Sequence, residues 1–249
     1  MERVEQVNPY NEKGEKSEQV EAMFDSIAPA YDFMNTAMTL GLHKYWRNAA
    51  IRQTLKMFGS SWPEKILDLA TGTGDLVFNL HGRLPQARIT GLDLSSGMLE
   101  IAGKKLLRLD DEEKKLISFE KGDCLALPFA DSSFSLITVA YGVRNFSNLL
   151  AGLKEMRRVL APGGVLCVIE LSEPKGRLTR GAYRFYSRRL IPALGRMKSG
   201  DSRAYSYLPE SIAACPQRGE MARLMKEAGF NDVRWHSLTL GAVTYYLAT

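Results

Sequence analysis

The run Ile66-Leu67-Asp68-Leu69-Ala70-Thr71-Gly72-Thr73-Gly74-Asp75 concentrates the residue types that can handle a ligand. A short apolar stretch breaks into a turn with two glycines, and an acid flanks each side. Glycine has no Cβ, so the backbone of such a turn can approach a ligand closely. A second apolar run, Ile89-Thr90-Gly91-Leu92-Asp93, ends in an acid 19 residues after Gly74. An acid at the end of the next strand can accept hydrogen bonds from the hydroxyls of a ribose. The two features together call for a nucleoside-bearing cofactor in an α/β fold.

The residue types narrow the cofactor. Dinucleotide sites use G-x-G-x-x-G, whose third glycine lets helix and strand pack closely. Gly72 and Gly74 fit, but position 77 is Val. Asp68 stands just before the turn, where its carboxylate repels phosphate and suits a cation. S-adenosylmethionine carries an ammonium, a sulfonium and a ribose, and no phosphate. The pattern D-x-A-x-G-T-G-D resembles motif I of the class I methyltransferases. The rival, an NAD(P) dehydrogenase, predicts dinucleotide binding and no binding of S-adenosylhomocysteine.

These residues need a scaffold, and the hydrophobic pattern supplies one. Strands are expected at 66–69, 89–93, 117–121, 134–141 and 165–171, with helices at 76–84, 95–109 and 149–160 between them. Alternation of this kind implies a parallel sheet covered on both faces. Ser95 or Ser96 is placed to cap the second of these helices. A last helix over 218–228 leads to two strands, 233–240 and 243–247, whose short connection makes them antiparallel. The expected architecture is a Rossmann-like, doubly wound, seven-stranded sheet closed by an antiparallel hairpin, preceded by helices. Residues 1–16 read as a polar, poorly ordered tail, 17–60 as a helical cap, and 61–249 as the main domain with an insert at about 172–215.

In such a sheet the ligand lies beyond the carboxyl ends of the strands. Asp68, Gly72, Thr73 and Gly74 would hold the methionine part, Asp93 the ribose, and Asp123 and Cys124 the adenine. Tyr141 and Asn145, after the fourth strand, would face the reacting methyl and its acceptor.

Composition excludes several classes. The chain has 249 residues, 45% of them hydrophobic and 24% charged, as expected of a globular domain. No apolar run approaches the roughly 20 residues of a membrane span. The opening Met1-Glu2-Arg3-Val4-Glu5 has no apolar signal core, so a cytoplasmic place is expected. Cys124, Cys167 and Cys215 have no metal-ligand spacing, and reduced thiols without a metal are the expectation. The net charge of +5 is local: eight basic residues and no acid fall within 175–198. Between 177 and 190, Arg177, Arg180, Arg184 and Arg188 form one side of an amphipathic helix of the kind that rests on anionic lipid. No nucleic-acid-binding motif accompanies them, so nucleic acid is not an expected partner.

Longer runs carry a closer resemblance. Val20-Glu21-Ala22-Met23-Phe24-Asp25-Ser26-Ile27-Ala28-Pro29-Ala30-Tyr31-Asp32-Phe33-Met34-Asn35, continued by Leu40-Gly41-Leu42-His43-Lys44-Tyr45-Trp46-Arg47, resembles the opening signature of the ubiquinone/menaquinone C-methyltransferases. Tyr141-Gly142-Val143-Arg144-Asn145-Phe146 is similar to that family's (F/Y)-G-x-R-N motif, and Glu155 to Gly164 to its second signature. The resemblance spans about 17–249. Ala140 departs from it, because many members carry Ser directly before the (F/Y)-G-x-R-N motif.

The resemblance implies methyl transfer from S-adenosylmethionine to a ring carbon of a polyprenylated quinol, either demethylmenaquinol or the benzoquinol precursor of ubiquinone. A ring carbon is a weak nucleophile until the adjacent hydroxyl loses its proton, so the reduced quinol is the expected substrate. Arg144 would stabilise the phenolate, and Tyr31 and His43 would contact the quinol or relay its proton. Asp32 and Asn35 are expected as helix caps and Trp46 as core. The substrate implies a peripheral position at the inner face of the plasma membrane, and the resemblance is compatible with a homodimer. A non-enzymatic alternative is a cofactor-binding subunit of a quinone-synthesis assembly.

Overall fold

A computed structural model describes residues 2–10, 14–176, 179, 181, 183 and 202–249 of the chain. The elements are α1 (Lys16–Ile27), α2 (Tyr31–Thr39), α3 (Leu42–Met57), β1 (Lys65–Leu69), α4 (Asp75–His81), β2 (Arg88–Asp93), α5 (Ser96–Leu106) and α6 (Asp111–Lys114). They continue with β3 (Ile117–Lys121), β4 (Phe134–Ala140), α7 (Leu149–Val159), β5 (Leu160–Leu171), α8 (Ser202–Ala214), α9 (Gly219–Glu227), β6 (Val233–Leu238) and β7 (Val243–Ala248). The seven strands form one sheet in the order β3-β2-β1-β4-β5-β7-β6. Strands β1 to β5 are parallel, and β7 runs antiparallel to both β5 and β6. This is the expected class I methyltransferase arrangement.

The central strands are apolar on both faces because helices cover both. Leu67, Leu69, Ile137 and Val139 pack with Leu149, Leu153 and Met156 of α7 and Met221, Leu224 and Met225 of α9. Their neighbours Ile66, Ile89 and Leu136 pack with Ile51 of α3 and Leu76, Val77 and Leu80 of α4. The strand order reverses between β1 and β4, which opens a crevice at their carboxyl ends. Over this crevice lie α1 and α2: Val20, Met23, Ile27 and Met34 are buried, and the last three cluster with Met98 of α5.

Several boundaries differ from expectation. Helix α5 stops at Leu106, and a separate α6 starts with a capping box between Asp110 and Glu113. Leu160 belongs to β5, not α7: it pairs with Phe134, and the next register pair is Leu136 with Val165. The Pro162-Gly163-Gly164 punctuation therefore makes a bulge inside the strand, with Gly163 at φ +73°. Strand β6 ends at Leu238, and Thr239–Gly241 turn back through left-handed backbone before β7.

The leading segment departs from its expected disorder. Val4 is fully buried, the Glu5 carboxylate accepts from the Leu149 amide (2.8 Å), and the Lys16 ammonium donates to the carbonyls of Val4 (2.5 Å) and Arg144 (3.3 Å). One apolar anchor and these charge-assisted bonds fix a segment whose composition alone is polar. The amphipathic basic helix expected over 177–190 falls largely outside the described residues. No described helix is long and apolar enough to cross a membrane.

Candidate functional site

Asp68 is the one acid in β1 and is buried. Thr71 and Thr138 donate their hydroxyls to its two oxygens at 2.7 and 2.6 Å. Burial pushes its carboxyl up to about 6, against the pull of these hydroxyls. The glycine turn follows directly, and Gly72 (φ +57°) and Gly74 (φ +78°) take conformations that favour glycine. A Cβ on Gly74 would also meet the Phe119 ring at 2.8 Å, so the position is fixed by space as well as backbone.

Asp93 ends β2 and accepts from the Gly72 amide (2.7 Å) and the Ser95 amide (2.9 Å). Burial raises its pKa, while those amides pull the other way. Each carboxylate oxygen keeps a lone pair for a further donor. Asp123 caps its own turn by accepting from the Leu125 amide (2.9 Å). The neighbouring Cys124 thiol is buried and pushed far above its usual range, so it is a neutral wall.

Two cavities meet at this edge of the sheet. The smaller is lined by Asp93, Ser95, Met98, Asp123, Cys124 and Asn145, among others. Its lining contains three acids, Glu21, Asp93 and Asp123, and among the described residues no lysine or arginine. The larger is lined by methionines 23, 34 and 38 with His43, Trp46 and Tyr207, and Asp68, Thr73 and Arg144 also reach it. Phe24, Tyr31, Ala70, Gly72, Ala140 and Tyr141 border both, so the two spaces share a wall. Of the expected cofactor residues, Asp93, Asp123 and Cys124 face the smaller cavity, Asp68 and Thr73 the larger, and Gly72 the boundary; Gly74 only shapes the turn.

The residues expected to act on the acceptor are brought together, with two differences. Asn145 lines the smaller cavity, and its amide oxygen accepts from the Tyr207 hydroxyl (3.1 Å). Arg144 is not a free cation: its Nη1 donates to Glu170 (2.9 Å) and to the Tyr141 carbonyl. Burial disfavours the guanidinium charge, but the Glu170 carboxylate outweighs it and holds the pKa above its usual value. The same pairing largely cancels the positive field of Arg144 in the cavity.

Two buried polar atoms next to the larger cavity have no hydrogen-bond partner among the described residues, the Tyr141 hydroxyl and the Arg144 Nε. Tyr141 is also held in left-handed backbone, φ +60°, and burial keeps its phenol protonated. Strain and unmet donors of this sort concentrate at ligand sites. Burial likewise raises the pKa of Tyr31, whose ring meets Phe24 edge-on at 6.1 Å. His43 Nδ1 is 2.7 Å from the Thr39 hydroxyl, and burial, then the Arg47 charge, lowers its pKa, so the imidazole is neutral at pH 7. Trp46 is core, as expected, and its indole N–H donates to Thr239 (2.7 Å).

Charged residues tie the helical cap to the glycine turn. Lys105 contacts Asp32 (2.6 Å) and Asp75 (2.8 Å), Arg47 pairs with Asp75 (3.0 Å), and Thr73 donates to Asp32 (2.6 Å). Burial would raise the Asp75 pKa, but its bonds to Lys105 and Arg47 bring it below its usual value. Asp32 is thus a bridge and not the expected cap: α2 starts from Ala30 with no side-chain cap bond, and Asp32 and Asn35 both lie within the helix. On α1, Asp25 accepts from the Ser95 hydroxyl (2.5 Å) and the Gly97 amide (2.8 Å). Sequence reasoning assigned no role to Asp25, Lys105, Thr138 or Glu170. A polar residue inside an apolar strand marks Thr138 and Glu170; nothing comparable marks Lys105.

Comparison with known proteins adds the lineage. Residues 12–249 match the model of the ubiE/COQ5 methyltransferase family. The chain is 44% identical over 248 residues to a demethylmenaquinone methyltransferase of Porphyromonas gingivalis, covering 99% of both chains. It is 41% identical to a ubiquinone/menaquinone biosynthesis C-methyltransferase UbiE of Syntrophotalea carbinolica, covering 90% of this chain and 91% of that one. Among solved structures, a SAM-dependent methyltransferase from Thermotoga maritima shares the fold, with TM-score 0.58, 19% identity, and 91% and 98% of the two chains covered.

Proposed function

The chain belongs to the ubiE/COQ5 methyltransferase family, and on that premise we propose that it methylates a ring carbon of demethylmenaquinol, giving menaquinol. It is an S-adenosylmethionine-dependent methyltransferase. The observation that carries the substrate reading is the pair of unmet donors, Tyr141 hydroxyl and Arg144 Nε, where an apolar cavity meets an acidic one.

The residues present fit the cofactor. An acidic cavity without a described cation suits a positively charged nucleoside and repels phosphates, which disfavours a dinucleotide. Asp93 keeps acceptor capacity for ribose hydroxyls, Asp123 for the adenine amino group, and Cys124 and Leu125 flank the base. Asp68, Gly72 and Thr73 take the methionine portion, where the Asp68 carboxylate opposes its positive charge. Bound there, S-adenosylmethionine supplies an electrophilic methyl group on a sulfonium.

On the acceptor side, methionines 23, 34 and 38 provide an adaptable apolar wall for a naphthoquinol and the start of its tail. Tyr141 and Arg144 Nε donate to the ring oxygen and favour its phenolate, which makes the adjacent carbon nucleophilic. Arg144 is positioned for this by Glu170. His43, neutral and fixed through Nδ1, is the acceptor for the quinol proton, and Tyr31 orders the ring at the shared wall. The remaining work is alignment, since methyl displacement from sulfur needs the carbon in line.

The relative from Syntrophotalea carbinolica, named for both quinones, supports the benzoquinol precursor as a second substrate. A polyprenyl tail places the encounter at a membrane surface, so the chain is proposed to act as a peripheral protein on the cytoplasmic face. A homodimer belongs to the same proposal and is read by sedimentation equilibrium. The test of the function is transfer of labelled methyl to short-tailed demethylmenaquinol held reduced, beside the oxidised quinone. Label in the reduced sample alone is expected. Equal label in both would overturn the phenolate mechanism, and none in either, with S-adenosylhomocysteine bound, would overturn the quinol assignment.

A further inference from the structure

Leu40 and Leu240 are the most exposed large apolar side chains among the described residues, at 86% and 77%. Both also hold left-handed backbone, at φ +51° and +57°. Leu40 closes α2 in the position where a helix usually ends on glycine. Leu240 tips the turn between β6 and β7, with Thr239 and Gly241 left-handed on either side. A turn that met only water would be better served by glycine or asparagine at either place, for conformation and for solvation alike. Leucine at both points to an apolar environment outside the chain.

Both tips adjoin the start of α3, which Leu40 precedes by two positions. The Trp46 indole donates to Thr239 at 2.7 Å, which ties the β6–β7 turn to the start of α3. Leu42 and Tyr45, on one face of the first turn of α3, are also exposed, at 41% and 55%. Each of these residues stands next to or two positions from a lining residue of the larger cavity: Leu40 beside Thr39, Leu42 beside His43, Tyr45 beside Trp46, and Leu240 near Ala242. The exposed apolar groups thus flank, along the chain, residues that line that cavity. The turn beneath Leu240 is firmly held, since the Gly241 carbonyl accepts from the Ser172 hydroxyl (2.8 Å) and from Arg218 (3.2 Å). Lys44 is exposed between Leu42 and Tyr45. Leucines at the tip with a tyrosine and a lysine behind them is the composition of a membrane-interface anchor.

We propose that Leu40, Leu42, Tyr45 and Leu240 form a docking rim that inserts into the lipid bilayer interface, so that the larger cavity opens directly onto the acyl chains. The inference rests on the quinol reading for its purpose but not for its measurement. Insertion of apolar side chains resists salt, whereas attraction of a basic segment to anionic lipid is screened, with a Debye length of about 3 Å at 1 M.

The test is co-sedimentation with phosphatidylcholine/phosphatidylglycerol vesicles at low and high salt. The double variant Leu40→Gly, Leu240→Gly keeps both left-handed turns without strain, so it is expected to melt no lower than the wild type. Leu107→Asp, at a site 74% exposed beyond α5, is the control. Wild type and control are expected to sediment with vesicles at both salt concentrations. The double variant is expected to lose about tenfold or more in partition per leucine removed, and to keep methyl transfer to a short-tailed quinol in solution. Equal sedimentation of the double variant, or wild-type binding abolished by salt, would overturn the rim. Failure of all proteins to methylate any quinol would overturn the proposed substrate and leave the vesicle result standing.

Discussion

In the proposed cofactor site, Asp68 is expected to set the pH response. Its carboxyl is raised from 3.8 to about 6 by burial, so the folded protein binds its proton more tightly than the unfolded chain. The stability this group contributes without ligand is therefore full below about pH 4 and is lost as pH rises through about 6, an effect on the order of 3 kcal/mol. A cation bound beside it needs the ionised form. Affinity for S-adenosylhomocysteine, read by calorimetry, is expected to fall as pH drops through about 6, by up to about tenfold per pH unit. Asp68→Asn is expected to raise the unliganded melting temperature at neutral pH, flatten that pH dependence and weaken binding. Tyr141→Phe removes a hydroxyl that has no partner among the described residues. Its melting temperature is expected to be unchanged or higher, while kcat falls on the order of tenfold with little change in cofactor affinity. A variant that loses stability but no activity would make the hydroxyl a packing element.

At the scale of elements, the cap helices are joined to the cofactor loops by few bonds, and each can be cut. Asp25 of α1 holds Ser95, whose amide holds Asp93. Asp25→Ala is expected to cost about 1–3 kcal/mol of stability in a denaturant melt and to weaken S-adenosylhomocysteine binding by about tenfold. Rescue of binding by Asp25→Asn would show that the acceptor, and not the charge, does the positioning. Removal of residues 1–10 takes away the Val4 carbonyl that accepts from Lys16, whose amine burial lowers to about 8, and the Glu5 carboxylate that accepts from the Leu149 amide, leaving Lys16 with the Arg144 carbonyl. The truncated chain is expected to lose kcat with a smaller change in cofactor affinity. Strands β1 to β5 and the glycine turn were legible because apolar periodicity and glycine placement are local signals. Leu160 was misassigned because the Pro162-Gly163-Gly164 bulge imitates a helix stop. The order in 2–10 was hidden because one buried valine and a few long-range bonds outweigh polar composition. The position of Asp68, Asp93 and Asp123 at the cavities was readable from the motifs, whereas the Arg144–Glu170 pair depends on β4 and β5 lying side by side, which no local pattern encodes.

Taken whole, the molecule is a sheet whose switch point feeds two adjoining spaces, one acidic and one apolar, under a helical cap. On the proposed reading the acidic space takes the positively charged nucleoside, the apolar space takes the uncharged ring with its tail, and the two meet at the wall that both cavities share, which includes Tyr31, Gly72, Ala140 and Tyr141. Family membership fixes the reaction class, and the proposed quinol is an acceptor with which these spaces are compatible. The most direct measurement is methyl transfer from labelled S-adenosylmethionine with short-tailed demethylmenaquinol and the demethylated benzoquinol precursor offered together, both kept reduced. Label in the naphthoquinol is predicted, with label in the benzoquinol as well if the chain serves both routes. Label in the benzoquinol alone, or in neither quinol despite bound cofactor, would contradict the assignment.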